Sequence, residues 1–114
     1  MKKVLVVEDG MDIQEYYKKA LEGKVEIISA YSIKSAMFHF NENPDLDAIV
    51  MDACLPNPPP NTLGITKRFR STFKGPMIAA SSDSGFRKML MNAGCDHESK
   101  KNDIPQKVRE LLGV

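Results

Sequence analysis

Polar and apolar positions follow one another in blocks along this chain: a short apolar run, a turn, a stretch with helical spacing, then the next apolar run. Residues 4–7 (Val-Leu-Val-Val) are continuously apolar, the pattern of a strand covered on both faces in a parallel sheet. Gly10 and Met11 read as a turn, and Asp12 with Glu15 has capping-box spacing, Asp12 being the N-cap. Ile13, Tyr16 or Tyr17, Ala20 and Leu21 recur at helical spacing. Lys18 and Lys19 suit the C-terminal dipole of that helix, and Gly23 suits the C′ position. Residues 25–30 form a second strand. Ser32 caps a second helix with Ile33, Ala36, Met37 and Phe40 on one face, ended by the polar stretch up to Pro44. Residues 48–52 form the third strand.

Three consecutive prolines at 58–60 exclude helix and central strand, because proline donates no backbone hydrogen bond. A helix is expected over 62–71, with Leu63, Ile65 or Thr66, and Phe69 inward and Lys67, Arg68 and Arg70 outward. Residues 77–81 form the fourth strand. Ser82 or Asp83 caps a helix running to about Ala93, with Phe86, Met89, Leu90 and Ala93 inside and Gly94 at its end. By rhythm 95–100 is the fifth strand, although Cys-Asp-His-Glu-Ser-Lys is poor strand material. Asp103 and Gln106 bracket another capping box with Pro105 in the first turn; Ile104, Val108, Leu111 and Leu112 form the last stripe. Five β-α repeats imply an α/β parallel sheet with helices on both faces. A length of 114 residues suits one domain, 1–114, able to bury a core without staples.

A net charge of +1 gives no global electrostatic case for nucleic acid or an anionic membrane as partner. Cys54 and Cys95 lack metal-ligand spacing and read as free thiols of a reducing compartment. The N-terminal apolar run is too short for a signal peptide, and no run is long enough to span a membrane, so a cytoplasmic location is expected.

In open parallel sheets, ligands bind outside the C-terminal ends of the strands. Four such ends carry chemistry here: Glu8-Asp9, Asp52, Ser81-Ser82 and Lys100-Lys101. Clustered carboxylates repel one another, so a site of this kind raises its pKa values or takes a cation. Hard oxygen ligands favour Mg²⁺, and an aspartate beside Mg²⁺ and lysine is suited to accept a phosphoryl group.

With these residues in order, the chain resembles the receiver domain of two-component response regulators over nearly all its length. Val-Leu-Val-Val-Glu-Asp (4–9) resembles the family's first strand and acidic pair. Ile-Val-Met-Asp-Ala-Cys-Leu-Pro (49–56) resembles the phospho-acceptor strand, and Pro-Met-Ile-Ala-Ala-Ser-Ser (76–82) the strand ending in the switch Ser/Thr. Lys101 falls seven residues after Gly94, where the family lysine does, with Lys100 as its neighbouring alternative. The resemblance implies a flavodoxin-like, doubly wound five-stranded sheet of order 2-1-3-4-5. It implies that Asp52 takes phosphate from a phosphohistidine of a histidine kinase or phosphotransfer protein, that Glu8, Asp9, Asp52 and the Cys54 carbonyl bind Mg²⁺, and that Ser81 and Lys101 hold the phosphoryl group. A downstream protein partner would read the result.

The chain departs from the family pattern in three places. Asn102 replaces the proline that usually follows the lysine, Glu98 replaces an aromatic residue, and the loop after Pro56 is about two residues longer and carries the three prolines. These departures motivate an alternative, a pseudo-receiver module that signals by partner docking without phosphorylation. A Mg²⁺-dependent phosphohydrolase ranks lower, because no second aspartate follows Asp52 at the spacing such enzymes use. The triple proline is either a stiff loop or a polyproline II recognition edge. His39 and His97 read as solvated or half-buried, Cys95 as a small core residue.

Overall fold

The four apolar runs and the polar segment near residue 98 become five strands in a computed structural model that describes residues 1–114: β1 (Lys2–Val7), β2 (Val25–Ala30), β3 (Ala48–Asp52), β4 (Met77–Ala80) and β5 (His97–Ser99). All pairings are parallel, in the order β2-β1-β3-β4-β5. Between the strands run α1 (Met11–Ala20), α2 (Ile33–Glu42), α3 (Leu63–Thr72) and α4 (Ser84–Ala93). A 3₁₀ turn (Lys101–Asp103) leads into α5 (Ile104–Leu112). This is the flavodoxin-like, doubly wound arrangement expected from the sequence.

The period of two along each strand divides the core. Leu5, Val7, Ile49, Met51, Met77 and Ala79 face one side, where Ala36 of α2, Ile65 and Phe69 of α3 and Leu90 of α4 cover them. Val4, Val6, Ala48, Val50, Ile78 and Ala80 face the other, under Tyr17 and Leu21 from the first helical segment and Ile104 and Val108 of α5. Phe40 and Phe69 stack with ring centroids 4.3 Å apart, joining α2 to α3. No helix is long and apolar enough to cross a membrane.

Register then determines what shares an edge. Val7 pairs with Met51, so Glu8 and Asp52 come next at the same level; Asp52 pairs with Ala80, which puts Ser81 one step beyond. Strand order reverses between β1 and β3, and the acids lie at that switch point.

Several local expectations are corrected. Helix α1 starts at Met11 with Gly10 as N-cap and no side-chain cap, so Asp12 does not close a capping box. Its buried face is Gln14, Tyr17 and Leu21, while Tyr16 and Ala20 are exposed. Asp103 caps α5 by position only, and Gln106 reaches forward to Glu110 at 3.2 Å instead of back. Asp83, not Ser82, caps α4 by accepting from Phe86 N–H. Strand β4 stops at Ala80, and β5 keeps only three residues. As an edge strand with one neighbour, β5 buries little, which explains its polar composition.

Arg70 does not face solvent. Its Nε donates to Gly94 O (2.8 Å) and its Nη1 to Phe73 O (2.8 Å) and Gly75 O (3.0 Å), tying the end of α3 to the turn after α4. Orphan carbonyls at helix ends recruit such donors, and a periodicity reading cannot foresee it. Gly94 has φ +140°, and a Cβ there would lie 2.7 Å from Arg70 Cβ, so the contact requires glycine.

Met89 was expected inside but is 41% exposed, whereas Phe69 is 1% exposed. Phe69→Ala is therefore expected to lower unfolding free energy by about 3–5 kcal/mol in urea titrations, and Met89→Ala to change it by less than about 0.5 kcal/mol. Similar losses in the two variants would contradict this packing.

Candidate functional site

Each strand end at the rim is held by side chains, because the sheet ladder stops there. After β1, Glu8 N–H donates to Ala30 O (3.0 Å), and Glu8 Oε2 accepts from Gly10 N–H (2.9 Å). The buried Gln14 carboxamide donates to Val6 O (3.0 Å) and Glu8 O (3.1 Å) and accepts from Ser29 Oγ (2.9 Å). One side chain thereby fastens β1 to α1 and β2. After β3, the buried Thr62 hydroxyl lies 2.7 Å from Asp52 O and 3.1 Å from Ala53 O. Asn61 accepts from Leu55 N–H (2.8 Å) and donates to Leu55 O (2.7 Å), closing the neck of the proline loop.

These anchors bring together the acids that the sequence singled out. Glu8, Asp9 and Asp52 each present a carboxylate oxygen within 4.8 Å of the others, an acidic group that could hold a metal ion. Glu8 and Asp52 are buried; Asp9 is half-buried. Lys101 Nζ lies 2.8 Å from Glu8 Oε1 and 3.4 Å from Asp52 Oδ2, while Lys100 is exposed. Of the two lysines, Lys101 is the one that enters the cluster.

Burial pushes the Asp52 carboxyl up to about 6, with Glu8 adding to the rise and Lys101 opposing it. Burial lowers the Lys101 ammonium, but its bonds to Glu8 and Asp52 outweigh that and leave it raised. The two shifts fit one geometry. The ammonium sits closer to Glu8, so Asp52 carries more uncompensated desolvation. Three carboxylates face one ammonium, and the excess negative charge on hard oxygens is the donor set a divalent cation such as Mg²⁺ takes.

Ser81 is buried at the end of β4, with its Oγ accepting from Asp83 N–H (3.1 Å). It shares the rim with Asp52, but no contact joins the two side chains. Arg87 of α4 donates to Ser81 O (2.7 Å) and to Glu98 Oε1 (2.9 Å), so the Glu98 carboxylate is ion-paired. Cys54 is buried two residues past Asp52, and burial followed by the Asp52 charge pushes its thiol up. His97 starts β5, opposite Ile78, away from the rim.

Sequence reading missed four residues that hold the site: Gln14, Asn61, Thr62 and Tyr17. Helical spacing offers Tyr17 only as one of two core candidates, yet its hydroxyl donates to Lys101 O at 2.9 Å, and Tyr16 donates to Asn102 O at 2.9 Å. Burial, then Glu8 and Asp52, drives the Tyr17 phenol well above its ordinary value, so it stays protonated and a donor. Nothing in local periodicity could have found contacts between residues 84 and 86 positions apart.

The Asp52 shift has a signed consequence. Its folded value of about 6 exceeds the ordinary 3.8, so the folded chain binds more protons within that window. The stabilising contribution is complete below the ordinary value and is lost as pH rises through 6. Asp52→Asn in chelated buffer at pH 7.5 is expected to be more stable than the parent by on the order of 2 kcal/mol in denaturant titrations, with the gap narrowing toward pH 4.5. A variant no more stable at pH 7.5 would contradict this electrostatic picture.

At the level of sequence, no protein-family model and no curated protein matches the chain significantly. At the level of structure, many solved chains do. A two-component response regulator from Clostridium difficile superposes with a TM-score of 0.83 at 21% identity, over 99% of this chain and 97% of that one. A response regulator receiver domain from Francisella gives 0.80 at 24% identity, over 99% and 98%. A CheY-like receiver domain protein from Methanospirillum hungatei gives 0.74 at 21% identity, over 99% and 94%. The chain has the fold of response regulator receiver domains.

Proposed function

We propose that this chain, as a single domain over 1–114, is the phospho-acceptor of a two-component phosphorelay. Asp52 takes a phosphoryl group from a phosphohistidine on a histidine kinase or phosphotransfer protein. The observation that carries this reading is the convergence of Glu8, Asp9 and Asp52 within 4.8 Å, with the Lys101 ammonium against Asp52. An Asp52 oxygen attacks phosphorus, the P–N bond breaks, and its electron pair stays on the departing imidazole nitrogen, which takes up a proton. The Lys101 ammonium moves from its carboxylates onto a phosphoryl oxygen, and the Ser81 hydroxyl turns from Asp83 N–H to another. Glu8, Asp9, Asp52 and the Cys54 carbonyl would hold Mg²⁺, which supplies neutralisation of the phosphoryl charge when bound. Attack of water on the acyl phosphate returns Asp52, so the chain resets itself but is not a turnover enzyme. The reading places it in the cytoplasm with an unidentified protein downstream.

One observation favours a second reading. Glu98 is paired with Arg87 where the family has an aromatic residue, so the usual route from rim to output surface is replaced by an ion pair. A pseudo-receiver that signals by docking alone would keep the fold without the chemistry.

The test is intact mass after incubation with Mg²⁺ and phosphoramidate. A gain of about 80 Da, one phosphoryl group, that disappears in Asp52→Asn is expected. No gain, together with no affinity for beryllofluoride and Mg²⁺, would exclude phospho-acceptance and leave the docking module.

A further inference from the structure

The main chain that carries Lys101 lies outside the sheet. Strand β5 ends at Ser99, and the last rung beyond it, Ser81 N–H to Ser99 O, is long at 3.4 Å. Residues 101–103 form a single 3₁₀ turn, closed by Asp103 N–H to Lys100 O (3.0 Å) and by Ile104 N–H to Lys101 O. Asn102 stands where the receiver pattern has a proline, so no pyrrolidine ring stiffens the turn. A lysine side chain has four flexible carbons, and its placement is only as good as the backbone beneath it. Yet Nζ reaches Glu8 at 2.8 Å and Asp52 at 3.4 Å.

Two further bonds hold the turn, both from α1. The Tyr17 hydroxyl donates to Lys101 O and the Tyr16 hydroxyl to Asn102 O, each at 2.9 Å, with the two rings 5.7 Å apart. Tyr17 is 1% exposed, so a phenylalanine would fill the same space; the hydroxyl adds nothing to packing and serves only as a donor to Lys101 O. Tyr16 is 45% exposed, with its ring at the lip of a groove of about 600 Å³ between α1 and α5 that Asn102 and Pro105 also line. A ring held there by its hydroxyl, rather than by burial, is placed by the bond it makes.

We propose that Tyr17, assisted by Tyr16, is a positioning residue for Lys101: the paired phenols fix the main chain at 101–102 and so set the ammonium against Glu8 and Asp52. The inference rests on Asp52 being the phospho-acceptor. It predicts that removing the hydroxyls harms the chemistry only through Lys101.

Two readouts test it on the full chain. In the first, phosphorylation of Asp52 by phosphoramidate with Mg²⁺ is followed by mass. Tyr17→Phe is expected to slow it roughly fivefold and Tyr16→Phe by less, the effect of one lost positioning hydrogen bond. In a Lys101→Met background, Tyr17→Phe is expected to have no further effect. In the second, metal-free protein is treated with an N-hydroxysuccinimide acetate ester, and lysine acetylation is mapped by peptide mass. Lys101 is expected to react several times faster in the double phenylalanine variant, with Lys100 unchanged as the internal reference. Val25→Ala, at the far edge of the sheet, controls for general loss of stability.

A Tyr17→Phe effect that persists without Lys101, or a rate loss matched by Val25→Ala, would overturn the inference. So would unaltered rates and unaltered Lys101 reactivity. Should Tyr17→Phe fail to fold, Tyr16→Phe carries both measurements. A parent chain that takes no phosphoryl group overturns the Asp52 reading and this inference together; a parent that reacts at the same rate as both variants and shows the same Lys101 reactivity overturns the inference alone.

Discussion

Holding Glu8, Asp9 and Asp52 together at the end of two adjoining parallel strands runs against electrostatics, and much of the rim is organised around that repulsion. Burying one carboxylate is unfavourable, and burying two beside a third is worse. The sheet imposes the arrangement nonetheless, because the register that buries Val7 against Met51 also sets Glu8 level with Asp52. The free energy comes from the apolar residues below, which alternate between two cores with little interruption. The repulsion thus sits directly above the apolar core, and Lys101 offsets only part of it.

A second constraint concerns the backbone. At the C-terminal rim each strand leaves the ladder, and its carbonyls and amides need new partners. Here side chains supply them: Gln14 at β1, Thr62 and Asn61 after β3, Arg87 after β4, and the two tyrosines after β5. The rim is therefore cross-tied by side-chain hydrogen bonds although it consists of loops.

The architecture was legible because it depends on patterns that repeat. Four apolar runs separated by helical spacing, with a fifth strand required by the rhythm, imply a parallel sheet whatever the details, and strands β2 and β3 fall on the expected residues. The acids and the Lys100-Lys101 pair could be assigned to one rim because strand ends are where such sheets place ligands, but only the contacts distinguish Lys101 from its neighbour. Long-range polar contacts were not legible. Arg70 reads as one more outward charge on α3 until Gly94 and the loop at Phe73–Gly75 supply its carbonyls. Asp12 and Asp103 have capping-box spacing, yet neither side chain caps its helix. Gly10 already occupies the first cap, and a 3₁₀ turn feeds directly into α5. Met89 fits the helical stripe of α4 but lies at its margin; Leu90 turns inward as expected, and Met91 packs against the core in its place. For Arg70 a tertiary partner overrode the local rule; for the caps, the neighbouring backbone did.

The bond between Tyr17 and Lys101 spans 84 positions of the chain, so the rim draws on both of its ends. The acids follow the first strand and end the third, while the ammonium that faces them comes from the last β-α unit and is latched by the first helix. The charge balance of the rim is therefore complete only where the two ends of the chain meet.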